Sequence, residues 1–200
     1  VGTTFIDDCQ WDRTSEWTPA AGTTHTADTT NGYRTVTGGS GIFRYVTANG
    51  VSFGDGFYEI ELAVNSGGSG HLYVAGFVIK VNQAGSVRLQ TNDGQTNVII
   101  YPTTITADTF YKVGVLVVGS FVKLYFEGNL VGSGTNATFA GQFTSPKIQA
   151  YNETITSTIK WRNLVVIAAS PDATNGIAAC IPPIGGGARY GVEESVYNTF

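Results

Sequence analysis

Glu59 and Glu61 stand two residues apart in a stretch where Tyr58, Ile60, Leu62 and Val64 alternate with polar positions. Successive side chains of a strand point to opposite faces, so both carboxylates share one face and form a pair of the kind general acid and base work requires. The same alternation also fits the solvent-facing half of an amphipathic strand. A second stock of chemistry is aromatic. Trp11, Trp17, Tyr33, Tyr101 and Tyr151 are candidates for the exposed rings, set beside polar neighbours, that glycan recognition uses. Trp161 shares a strand side with Ile159 and reads as core. His25 and His71 are far apart in the chain, and neither lies in a metal-binding spacing such as H-E-x-x-H. No nucleophile elbow or phosphate-binding loop occurs. Gly38-Gly39-Ser40-Gly41 and Gly67-Gly68-Ser69-Gly70 read as turns, because no helix start follows either. Cys9 and Cys180 lie near opposite ends of the chain and outside any C-x-x-C pair. They are either a disulfide closing a very long loop or two small buried thiols. Asn136 and Asn152 match the N-glycosylation acceptor pattern, which has meaning for a secreted chain.

The elements that must position these groups are strands. No sustained i, i+3, i+4, i+7 apolar stripe of useful length is present. Leu72 to Val81 reads as one strand buried on both faces and interrupted by Gly76, and Val87 and Leu89 alternate with Ser86, Arg88 and Gln90. Val98 to Tyr101 forms a further run. Phe110 to Glu127 carries the clearest hairpin signal, with Gly119-Ser120 between the arms as a type II′ turn. Glu127-Gly128-Asn129 turns the chain again into Leu130 and Val131, and later strands are expected at Lys147 to Tyr151 and Thr154 to Ile167. Thr23 to Gly32, Gly38 to Gly41, Asn65 to Gly70 and Gly132 to Asn136 read as Gly/Thr/Asn-rich connections. Many short strands with such turns predict an all-β sandwich or barrel over residues 1–167. Residues 168–200 carry Pro182-Pro183 and Gly185-Gly186-Gly187, and read as a linker and an extended C-terminal arm. Its anchors are Tyr190, Val196, Tyr197 and Phe200, packing either on their own domain or, by strand addition, on a neighbouring subunit.

Composition narrows the classes. The 200 residues carry 42% hydrophobic and 12% aromatic residues, enough for a real core, which excludes a disordered chain. Only 13% are charged, against about 25% in ordinary domains, and the net charge is −4. That balance excludes the basic footprint of a nucleic-acid binder. No run approaches the ~18 apolar residues of a membrane span, so membrane insertion is not expected. Methionine is absent. Two origins fit: a Met clipped from a Met-Val start, or a longer leader cut away.

The order of parts resembles the concanavalin A-like lectin/glucanase superfamily, including laminin-G-like modules. Phe5-Ile6-Asp7-Asp8, Trp17 and Phe57-Tyr58-Glu59-Ile60-Glu61 resemble its opening. Phe110 to Val115 followed by Val122 to Val131 resembles its long hairpin, and Ile159 to Val166 its closing strand, which lies beside the first. The resemblance covers about residues 5–167 and implies an antiparallel jelly-roll β-sandwich. It also implies what to ask of the acids. Glucanases of this family carry a strand similar to Glu-x-Asp-x-Glu, with a nucleophile first and an acid/base last. The aligned face here is Glu59, Glu61, Ala63, and Ala63 has no proton to donate. Related domains hold a structural calcium ion near the terminal strands, and Asp7 and Asp8 are the ligands this implies here. No other cofactor is expected.

These observations lead to a non-enzymatic surface structural or adhesive protein: a virion component (decoration, fibre or spike) or an extracellular filament subunit. Its partners are then further copies or other structural subunits, joined through the C-terminal arm, and its place is the virion surface or the extracellular space. Two alternatives stand beside this reading. One is a secreted carbohydrate-binding module with a glycan partner, and the other a glycoside hydrolase using Glu59 and Glu61.

Overall fold

The computed structural model describes residues 4–38, 44–49, 54–74, 76–91, 96–135, 147–151 and 157–168. Strands, numbered in chain order, fall into two antiparallel sheets. The first holds β1 (Thr4–Asp7), β3 (Thr24–Asp28), β4 (Tyr33–Gly38), β6 (Gly56–Val64), β11 (Tyr111–Val118), β12 (Phe121–Phe126), β13 (Asn129–Thr135) and β15 (Ser157–Ala168). Its order is β13-β12-β11-β6-β15-β4-β3, with β1 also paired to β15. The second holds β2 (Trp17–Pro19), β5 (Arg44–Ala48), β7 (Ser69–Val74), β8 (Phe77–Asn82), β9 (Ser86–Thr91), β10 (Asn97–Pro102) and β14 (Lys147–Tyr151), in the order β10-β9-β8-β7-β14-β5-β2. Every pair is antiparallel, and the first and last strands lie side by side, Phe5 opposite Val166. The expected jelly-roll sandwich is the architecture found. A single 3-10 turn, Thr14–Glu16, joins β1 to β2, and no α-helix occurs among the described residues.

Alternation builds the core. Tyr58, Ile60 and Leu62 of β6 face Leu72, Ile79 and Leu89 of the other sheet through one cluster of fully buried side chains. Burying each such side chain stabilises the fold by roughly 1.5–3 kcal/mol relative to leaving it in water. The β11–β12 hairpin turns where expected: Val118 pairs with Phe121, and Gly119 alone in the turn takes positive φ (+56°). That combination suits a type II′ turn.

Three readings of the chain change. Leu72 to Val81 is two strands rather than one, because Gly76 at φ +82° reverses the chain and Val74 pairs back onto Phe77. Thr23 to Gly32 contains β3, whose Thr-rich sequence is that of a sheet edge, with two of its five residues exposed and the other three half-buried. The supposed connection at Gly132 is the continuation of β13. There the missing side chain is what the packing needs, since a Cβ on Gly132 would sit 2.5 Å from Cγ2 of Ile99 on β10. Gly132→Ala is therefore expected to destabilise by roughly 1–3 kcal/mol in urea unfolding. Ile99→Ala added to it should recover part of that loss. If the two losses simply add, this contact is not the cause.

β15 is the strand that organises the first sheet. Its first half pairs with β4 and its last part with β1, and the register against β6 shifts between Arg162 and Val165. Asn163 stands in that bulge at φ +53°, a conformation that asparagine tolerates better than most residues. The arm residues Tyr190, Val196, Tyr197 and Phe200 lie outside the described residues, as do Cys180, Asn136 and Asn152.

Candidate functional site

The carboxylates and the residues of the Trp-rich corner were singled out by type, and the fold sends them to two places and builds a third from residues that were not. Glu59 and Glu61 do share a face, the outer face of the first sheet, but it is not the open half of an amphipathic strand. Glu61 accepts from Arg162 Nε at 2.8 Å and from Asn163 Nδ2 at 2.7 Å, so the bulge in β15 exists in register with this carboxylate. Glu59 is buried, with Lys112 Nζ 3.9 Å from one oxygen and no partner for Oε2 among the described residues. Burial pushes its carboxyl up to about 7 against the opposing pull of Lys112, with Glu61 and Glu127 adding to the rise. Ala63, also buried, lies one pleat further along β6. This is a carboxylate pair in which one member is clamped and the other shut from solvent.

The second group is the Trp-rich corner where β1, β2, β4 and β15 meet. Asp7 is wholly buried and accepts from Arg34 Nε and NH2, both at 3.1 Å, from Trp17 Nε1 at 3.0 Å and from the Cys9 amide at 3.0 Å. Arg34, equally buried, spends a further contact on the Trp11 carbonyl at 3.1 Å. Trp17 is therefore not a surface platform: it is 2% exposed and packs on Trp161, ring centroids 4.8 Å apart, because its indole N–H is what Asp7 requires there. Asp7 is committed to the same four donors, which leaves it no lone pair directed outward for a calcium ion. Asp8 points to solvent and accepts from the Gln10 amide. Cys9 is a free thiol donating to the Trp161 carbonyl at 3.6 Å, and burial pushes it up to about 12. Of the four aromatic candidates whose side chains are described, Trp11 alone is open, at 73% exposure. Tyr33 lies against Phe110 and beneath Lys160, and Tyr101 packs on Phe126. The backbone places Tyr151 in β14, opposite Ser69.

The third place is the outer face of the seven-stranded sheet, whose residues were not picked out by type. Register aligns them in rows. His71 lies opposite Lys80, Lys80 opposite Arg88 and Arg88 opposite Ile100. Tyr73, Val78, Gln90 and Asn97 form the next row, and Ser69, Asn82, Ser86 and Pro102 the one beyond. These positions point away from the core, yet Ser69, His71, Val78, Ser86 and Gln90 are all buried, while Ile100 and Asn97 at the margin are exposed. The polar residues at the middle of this face are as closed to solvent as Glu59, while Tyr73, Lys80 and Arg88 beside them are half-buried and keep part of their surface open. The side chains on it are held. Ser69 Oγ lies 3.1 Å from His71 Nε2, Arg88 Nε donates to Ser86 Oγ at 2.9 Å, and Gln90 Nε2 donates to Asn97 Oδ1 at 2.9 Å. The His71 and Tyr73 rings lie 6.2 Å apart. Burial, and secondarily the charge of Lys80, push His71 down to about 3, so it is a neutral imidazole at any physiological pH. The signal for this face was present as period-two strings, Ser69-x-His71-x-Tyr73 and Ser86-x-Arg88-x-Gln90, but becomes a surface only once the strands are in register.

No family model and no curated protein matches the sequence. Solved structures do match the fold. A carbohydrate-binding module, CBM66, from Bacillus subtilis superposes with a TM-score of 0.62 at 19% identity, covering 76% of this chain and 95% of that one. The Crh5 transglycosylase without ligand gives 0.69 at 14% identity, covering 84% and 85%. A β-glucanase from Bacillus licheniformis gives 0.58 at 14% identity, covering 82% and 98%. These neighbours overturn the expectation of a protein without catalytic activity: transglycosylase and glucanase structures share this fold, so the architecture supplies no ground for excluding catalysis. They lend no support to a virion or filament component or to self-association. At these identities the likeness establishes architecture, and the chain has the concanavalin A-like jelly-roll fold.

Proposed function

We propose that this protein recognises carbohydrate on the outer face of its seven-stranded sheet. The observation that carries the reading is a floor of polar and aromatic side chains on the face turned from the core, in which the half-buried Tyr73 and Arg88 lie among the buried Ser69, His71 and Gln90. Sugars offer hydroxyls to hydrogen-bonding groups and C–H faces to rings, and such a floor supplies both. The carbohydrate-binding module among the structural neighbours supports the same reading. An extracellular location, where polysaccharide is met, goes with it. The experiment is a titration with a panel of soluble polysaccharides, using the full chain and Tyr73→Ala. Saturable binding that the variant weakens by about tenfold or more is expected, as for loss of a ring stacked on a ligand together with its polar handle. Binding unchanged in Tyr73→Ala but abolished in Trp11→Ala would move the site to the exposed indole in the β1–β2 loop.

A further inference from the structure

The charges on this sheet are sorted by sign. Its seven strands contain four basic residues, Arg44, Lys80, Arg88 and Lys147, and no acidic one. It is the acids that are unevenly placed, since the strands of the other sheet carry five basic residues of their own, Arg34, Lys112, Lys123, Lys160 and Arg162. The acids of the described strands, Asp7, Asp28, Glu59 and Glu61, all belong to the other sheet. Lys80 and Arg88 moreover lie directly opposite one another on neighbouring strands. Arg88 Nε is oriented by Ser86 Oγ, and no carboxylate lies against its guanidinium among the described residues. His71, the next residue in the row, adds a ring and a hydrogen bond with Ser69 but no charge.

Resting on the carbohydrate reading above, we propose that the glycan taken by this face is anionic, with its carboxylate or sulfate groups held between Arg88 and Lys80. The planar guanidinium fork matches a carboxylate in two parallel hydrogen bonds, and Lys80 adds a point charge beside it. Because the protein as a whole is negative, only a local basic patch can hold a polyanion, so the binding is a property of this face rather than of net charge.

The test uses the full chain with polygalacturonate, dextran sulfate and a neutral β-glucan, each titrated at low and high NaCl. Arg88→Gln and Lys80→Gln are compared with Lys160→Gln, a basic residue of the other sheet, and melting curves check that each variant is folded. Binding of polygalacturonate or dextran sulfate that salt weakens, that each face variant weakens by about tenfold or more, and that Lys160→Gln leaves unchanged is the expected result. Which polymer binds distinguishes carboxylate from sulfate as the anion. Salt-insensitive binding of the neutral β-glucan alone overturns the anionic assignment and leaves the carbohydrate reading standing. Equal weakening by Lys160→Gln overturns the assignment to this face. Absence of binding to all three polymers overturns both.

Discussion

Asp7→Ala is expected to cost about 3–5 kcal/mol of stability. The reason is what it leaves behind. Arg34 has no exposed side-chain surface; its Nε and Nη2 donate to the two oxygens of Asp7, and among the described residues its Nη1 has only the solvent-exposed Asp12 carboxylate, 4.0 Å away. Truncating the acid strands a guanidinium in a space lined by Trp17, Trp161 and Cys9, and also removes the acceptor of the Trp17 indole. An uncompensated buried cation is worse than no ion pair, so the double variant Asp7→Leu with Arg34→Met should recover much of the loss. Urea unfolding of wild type, both single variants and the double variant gives the cycle. A loss under 1 kcal/mol for Asp7→Ala would show that water reaches Arg34 and that the pair is not buried in solution.

The second large effect is a dependence on pH, located on Glu59. Burial holds its carboxyl at about 7 in the fold, above the ordinary 4.5 it regains when unfolded. The folded state therefore binds this proton more tightly than the unfolded one. Its stability is complete at pH below 4.5, declines as pH rises toward 7, and stays reduced above it. Glu59→Gln keeps the shape and removes the titration. It should match wild type near pH 4 and exceed it at pH 8 by roughly 2–3 kcal/mol, the free energy of a shift of this size on a buried group. Thermal unfolding at pH 4, 6 and 8 measures this directly, and parallel profiles for the two proteins would dispose of the idea. Lys112→Ala should push in the opposite direction, since Lys112 is the charge that opposes the rise.

Both predictions depend on residues that the sequence marks by type and the tertiary structure defines by partner. Periodicity alone sufficed for β6, for the β11–β12 hairpin with its turn at Gly119, and for β15 carrying Ile159 and Trp161 inward. These are long strands with strict alternation, and the period-two rule is local to the chain. It did not suffice for β3, whose threonines resemble loop, nor for β7 and β8, where continuous burial hides the reversal at Gly76. Sharing of one face by Glu59 and Glu61 followed from their spacing. That Arg162 and Asn163 clamp one, while burial shuts in the other, came from a strand a hundred residues away. The same division holds for the recognition face. β9 carries a polar alternation legible in one dimension, Ser86-x-Arg88-x-Gln90, while β7 and β8 read as one buried run. Which polar residues become neighbours is set by cross-strand register, and register is a long-range property that short repeats in one strand do not encode.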